Sequence, residues 1–234
     1  MTATNPICVA LDTPDLDRAI ALARSLKPHV GCMKVGMEFF YAHGASGYGK
    51  VAEQGLPIFL DLKLHDIPNT VAQAMTSLMR LDPKPTIVNV HATGGLDMMK
   101  AAADAVAGQS KLIAVTILTS LSDDDIWAAG FETAKDTQAH ARALADLAKR
   151  AGLDGVVCSP HDLVGIRHDL GRDFLTVVPG IRPADAATQD QKRVATPSAA
   201  IAAGADILVI GRAITGAADP AKAAQDILAS LHAG

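Results

Sequence analysis

Residues 59–70 read Phe-Leu-Asp-Leu-Lys-Leu-His-Asp-Ile-Pro-Asn-Thr. From 58 to 62 the chain is apolar and interrupted only by charge, as in a strand covered on both faces. Pro68 stops such a strand, and Asn69 is placed to cap a helix that follows it. The stretch therefore reads as one strand running into one helix. Asp61 and Lys63 are two residues apart, which on a strand puts them on one face, and Asp66 follows. Two carboxylates around one ammonium at the end of an apolar strand are costly to desolvate. A structural ion pair needs one charge of each sign, so the second carboxylate points to function.

The same unit recurs along the chain. Short apolar runs at 7–11, 31–35, 57–62, 86–90, 112–117, 155–158, 175–178 and 207–210 read as eight strands of a parallel sheet. Between them lie helical patterns. Thr13-Pro14, Ser159-Pro160, Thr196-Pro197 and Asp219-Pro220 each set a capping residue before a proline at the first helical position. Gly55, Gly152 and Gly204 fall where helices should end. Eight such units in 234 residues predict a single-domain (β/α)8 barrel over residues 1–234. A doubly wound open sheet is the alternative, but the first strand runs into Asp12-Thr13-Pro14 without a glycine-rich fingerprint.

The chain is 49% hydrophobic and 20% charged, a globular composition, and its net charge of −4 carries no basic block suited to nucleic acid. No apolar run is long enough to span a membrane. The first apolar run is too short for a signal-peptide core, so a cytoplasmic location is expected. Cys8, Cys32 and Cys158 sit in apolar runs and read as buried free thiols.

Barrel enzymes carry their chemistry at the C-terminal ends of the strands. Asp12, Lys34, Asp61, Lys63, Asn89, His91, Thr116, Thr119, Ser120, Arg182 and Arg212 fall there. Asp12, Lys34, Asp61 and Lys63 form an alternating charge cluster in which perturbed titration is expected. Gly211-Arg212 opens a short helix after the last strand. There a backbone N–H, the helix dipole and a guanidinium would suit a phosphate. The long polar segment 182–196 reads as a lid in which Arg182 and Gln191 close on that phosphate. His65 and His91 show no metal-ligand spacing and read as satisfied structural histidines. Thr119 and Ser120 have no histidine and aspartate partners for a nucleophilic mechanism.

Taken in order, Val-Ala-Leu-Asp12, Met-Lys34-Val-Gly, Asp61-Leu-Lys63-Leu-His-Asp66-Ile67-Pro-Asn-Thr70, Val-Thr-Ile-Leu-Thr119-Ser, Val-Val-Pro179-Gly-Ile-Arg182, Asp-Gln191 and Ile-Gly211-Arg212 span nearly the whole chain. This series closely resembles the orotidine 5′-phosphate decarboxylase family. The resemblance implies cofactor-free decarboxylation of orotidine 5′-monophosphate to uridine 5′-monophosphate, the last step of de novo pyrimidine synthesis. It also implies a homodimer with shared active sites and no metal. Lys63, Asp61 and the partner-directed Asp66 would be catalytic. Ile67 and Thr70 would also reach the partner's site, Asp12 and Lys34 would hold ribose hydroxyls, and Thr119 would contact the pyrimidine. Arg182, Gln191, Gly211 and Arg212 would grip the phosphate, and Pro179 would complete the substrate-binding set.

Decarboxylation at C6 leaves a vinyl carbanion without an electron sink, so a fixed ammonium beside it is the main resource. Lys63 between carboxylates is expected to stay protonated and to deliver the proton. A metal-dependent 3-keto-L-gulonate 6-phosphate decarboxylase would share Asp-x-Lys-x-x-Asp. Such enzymes tend to place a metal-binding Glu where this chain has Lys34, and no other acid is expected nearby to replace it. A non-catalytic phosphoribosyl-binding barrel would have no use for Lys63 between acids. A barrel aldolase or isomerase would want a lysine in an apolar pocket or a glutamate base.

Overall fold

In the computed structural model, residues 5–182 and 193–231 are described. Eight parallel strands close into a barrel in sequence order, β1 to β8. They are β1 (Ile7–Ala10), β2 (Cys32–Gly36), β3 (Ile58–Leu64), β4 (Ile87–His91), β5 (Lys111–Val115), β6 (Gly155–Val157), β7 (Leu175–Val178) and β8 (Ile207–Ile210). The barrel shuts where Cys8 of β1 pairs with Val209 of β8. The open-sheet alternative is thereby excluded. The helices are α1 (Leu16–Leu26), α2 (Met37–Ala52), α3 (Pro68–Leu78), α4 (Gly95–Val106), α5 (Asp123–Ala128), α6 (Thr137–Arg150), α7 (Leu163–Leu170), α8 (Pro197–Ala202), α9 (Arg212–Thr215) and α10 (Pro220–Ser230).

Strand parity divides the core in two. Ile7, Val9, Met33, Val35, Leu60, Val88 and Val90 face outward and pack with helix residues such as Ala19, Phe39, Met75 and Met99. Cys8, Ala10, Cys32, Phe59, Ile87, Ile113, Val177 and Val209 fill the interior instead. Further along the same inward columns the residues become Asp12, Lys34, Asp61 and Asn89. The interior thus turns from apolar to charged toward the C-terminal ends, and the site can form only there.

Two of the expected caps are shifted. Asp15, not Thr13, caps α1 by accepting from the Arg18 N–H, while Thr13 Oγ1 accepts from the Asp15 N–H. Ile67 occupies the N-cap of α3, Pro68 opens the helix, and Asn69 lies inside it. A proline at the first helical position moved the boundary ahead of Asn69. Thr196 and Asp219 cap α8 and α10 as expected. Ser159 caps a short 3-10 turn at Pro160–Asp162. Gly55, Gly152 and Gly204 take positive φ just beyond α2, α6 and α8. All three cysteines are free and buried. No helix among the described residues is long and apolar enough to cross a membrane.

Candidate active site

The mouth of the barrel at the C-terminal ends of the strands holds a cavity of about 530 Å³. Asp12, Lys34, Asp61, Lys63, Thr119, Pro179, Arg182, Gly211 and Arg212 all line it. The chain brings these sequence-predicted residues together from six strand ends. Asp66, Ile67 and Thr70 do not line it; all three are exposed, Ile67 by 66%. Gln191 and most of the expected lid, 183–192, lie outside the described residues.

The charge cluster is a continuous chain. Lys34 Nζ donates to Asp12 Oδ1 at 2.9 Å and stands 3.4 Å from Asp61 Oδ2. Lys63 Nζ lies 2.8 Å from Asp61 Oδ1, and Asn89 Nδ2 donates to that same oxygen at 2.7 Å. Gly36 makes room for the first link, since a Cβ there would lie 3.0 Å from both Asp12 Oδ1 and Lys34 Nζ. Asp12 is the solvent end of the chain, its side chain 54% exposed, whereas Lys34 and Asp61 are each 9% exposed.

Burial by itself would push the Asp61 carboxyl up, but Lys34, Lys63 and Asn89 outweigh it and hold the group below its ordinary value. Burial would likewise push the Lys34 ammonium down, and Asp61 and Asp12 hold it above its ordinary value. Both groups therefore remain charged inside the barrel. Deeper in the interior, burial and the neighbouring Cys32 push the Cys8 thiol well up, so Cys8 adds no charge beneath the cluster.

Lys63 is reached in an unexpected way. It has φ of +53°, in the left-handed region, and the β3–β4 register shifts between Leu60 and Leu64. Regular strand alternation therefore does not carry Lys63 to Asp61; an irregular turn of backbone does. The Lys63 N–H donates to Asn89 Oδ1 at 2.8 Å. Asp66 likewise departs from the expected bracket, since its Oδ1 accepts from the next N–H, that of Ile67, at 2.7 Å.

Arg182, also in the cavity wall, is buried, its Nη1 donating to the Ile181 carbonyl. Its N–H donates to the Ala195 carbonyl and the Ala195 N–H donates to the Gly180 carbonyl, so the two ends of the 183–192 segment are tied together. α9 is a single four-residue turn after Gly211. The dipole expected to help hold an anion is correspondingly small, and Arg212 with nearby backbone N–H groups is the stronger resource.

Several residues of this end escaped the sequence reading. The sequence places Asn89 at a strand end without assigning it a part; its signal is a polar residue in an inward column of an apolar strand. Glu38, from the first turn of α2, also lines the cavity, so the expectation of no further acid in this region needs correcting. Arg193 carried no signal. It pairs with the fully buried Asp162 at 3.0 Å and donates to the carbonyls of Ile117 and Leu118, which lead into Thr119. The His65 and His91 rings lie 5.7 Å apart, centroid to centroid. His65 is exposed and His91 half-buried. No group of three metal-ligating side chains occurs among the described residues.

Residues 5–227 match the model of the Orotidine 5′-phosphate decarboxylase / HUMPS family. The chain is 54% identical to an orotidine 5′-phosphate decarboxylase of Novosphingobium aromaticivorans, over 97% of this chain and 100% of that one. It is 50% identical to one of Rhodospirillum rubrum, over 97% and 94% of the two chains. The crystal structure of an orotidine 5′-phosphate decarboxylase from Lactobacillus acidophilus superposes with a TM-score of 0.84 at 39% identity, covering 98% of this chain and 100% of that one.

Proposed function

Since the chain belongs to the orotidine 5′-phosphate decarboxylase / HUMPS family, we propose that it converts orotidine 5′-monophosphate to uridine 5′-monophosphate and CO2 without a cofactor. The observation that carries this reading is the Lys34–Asp61–Lys63 ion-pair chain in the wall of one cavity that Arg182 and Arg212 also line. An anionic nucleotide with its phosphate on the arginines would present its base to Lys63.

In the reaction the C6–carboxylate bond breaks, CO2 leaves, and the electron pair stays on C6. Lys63 is the fixed cation beside that pair and then transfers an Nζ proton to C6. Its place is set in advance by Asp61, which Lys34 and Asn89 hold in turn. Little reorganisation is then needed as charge develops. Asp61 beside the substrate carboxylate adds repulsion in the ground state, about 4 kcal/mol at roughly 4 Å and an effective dielectric of about 20. Asp12 and Lys34 would hold ribose hydroxyls, and Thr119 with Pro179 would flank the base. Arg182, Gly211, Arg212 and Gln191 would hold the phosphate, whose binding energy can be expressed at C6.

We assign the exposed segment Asp66–Thr70 to a second copy of this chain. It misses its own cavity, and its exposed Ile67, with Met37 at 42% and Tyr41 at 73% exposure, offers apolar surface of the kind protein partners cover. Asp66 would then face the partner's Lys63. Mixing inactive Lys63→Ala with inactive Asp66→Asn protein would regenerate activity only if sites are shared. A metal-dependent sugar-phosphate decarboxylase is favoured by one observation, Glu38 in the cavity wall, and opposed by the Lys34 ammonium beside it. The deciding experiment follows the ultraviolet absorbance of orotidine 5′-monophosphate with and without EDTA. Turnover untouched by EDTA and lost in Lys63→Ala supports the proposal. No turnover, or turnover that EDTA stops, refutes it.

A further inference from the structure

Asn89 touches both halves of the catalytic pair. We propose that it is a positioning residue for the decarboxylation: its single amide orients the Asp61 carboxylate and holds the Lys63 backbone in the conformation that returns the ammonium to Asp61. This rests on the reading of Lys63 given above.

Three observations carry it. Lys63 is one of two non-glycine residues with positive φ among the described residues, and a side chain is held in that region only when its surroundings over-determine it. The cause lies next to it. Leu60 pairs with Val88 and Leu64 with Val90, so three residues of β3 bulge out opposite Asn89 alone. The bulge takes the Lys63 N–H out of the regular ladder, and Asn89 Oδ1 accepts it instead. Finally, Asn89 is 1% exposed, and its amide can point only one way. The carboxylate of Asp61 accepts and the Lys63 N–H donates, so nitrogen must face the first and oxygen the second. No other side chain of this size supplies both.

The variants Asn89→Ala and Asn89→Asp separate the two halves. Asn89→Ala removes both bonds. Asn89→Asp is isosteric and keeps the acceptor for the Lys63 N–H, whereas toward Asp61 it can donate only while its carboxyl is protonated. In Asn89→Ala, kcat for orotidine 5′-monophosphate should fall about 10²-fold while uridine 5′-monophosphate still binds, as expected for a displaced catalytic group. Hydrogen exchange at the Lys63 amide should become fast in Asn89→Ala and stay slow in Asn89→Asp, with Leu60 protected in both. A purely structural role would lower the melting temperature and leave kcat of the folded variants at the parent's value. That result, or unchanged Lys63 protection in Asn89→Ala, overturns the proposal. Should the parent itself not turn over the nucleotide, the functional reading fails, and the exchange experiment still decides what Asn89 holds.

Discussion

The Lys63 ammonium lies 2.8 Å from Asp61 although the backbone between them has left regular strand geometry. The ion pair is thus built by an irregularity: a left-handed residue at the end of β3 folds the long side chain back over the barrel mouth. An extended strand would fix the direction of both side chains by parity alone. Here the direction of Lys63 depends on β4, and so the position of this cation is set by a tertiary contact.

Replacing Lys63 by alanine removes the cation and the proposed proton donor at once. General acid catalysis contributes about 10²–10⁴-fold and a preorganised charge about 10²–10³-fold. The rate of orotidine 5′-monophosphate consumption should therefore fall by at least about 10⁴-fold. Product binding, measured by calorimetry, should persist because the phosphate side of the cavity is intact. Parent-like turnover in Lys63→Ala would assign the chemistry elsewhere.

Arg212→Ala tests the phosphate corner. A hydrogen bond to a charged group contributes about 1.5–3 kcal/mol, or about 10- to 150-fold. The value of kcat/KM for the nucleotide should drop by that factor, while the slow turnover of the unphosphorylated nucleoside stays the same. Equal losses on both substrates would place Arg212 outside the phosphate site.

His91 makes stability depend on pH. Burial first, then His65 and Lys63, push its ring below the ordinary 6.5, against the opposing pull of Asp61. With the folded value below the unfolded one, the unfolded chain takes up the proton first as pH falls. The stabilising contribution is complete above pH 6.5 and is lost as pH drops from there through the folded value. Melting temperature should decline over that range in the parent and decline less in His91→Asn. Parallel curves for the two proteins would contradict the sign.

Arg193→Met would leave Asp162, whose side chain is 0% exposed, as an uncompensated charge. Breaking such a pair costs about 3–5 kcal/mol. The denaturation midpoint should shift accordingly. Asp162→Asn in the same chain should restore most of the loss, because an amide oxygen can still accept from the Ser159 N–H as Asp162 does now. A double variant no more stable than Arg193→Met would show that the charge is not the cause.

The barrel was legible because its signals are local. Apolar runs of strand length gave β7 and β8 their observed ends, and the other strands to within two residues. Their positions near strand ends placed Lys34 and Asp61 correctly, since both lie on regular strand. The caps at Thr13 and Asn69 lie elsewhere because neighbouring residues competed for the same role: Asp15 took the first, and Pro68 moved the second boundary ahead of Asn69. Lys63 reached the expected partner by a different route.

By itself, then, the amino-acid order determined a parallel β/α barrel and which strand ends carry charge. Those properties follow from periods of two and about 3.6 residues that any short window contains. The tertiary structure alone decided that Asn89 would bind Asp61 across 28 positions and Lys63 across 26. It likewise decided that Arg193 would meet Leu118 across 75. Such contacts arise from closing the barrel, which brings strand ends together irrespective of their distance along the chain, and no local periodicity encodes that distance.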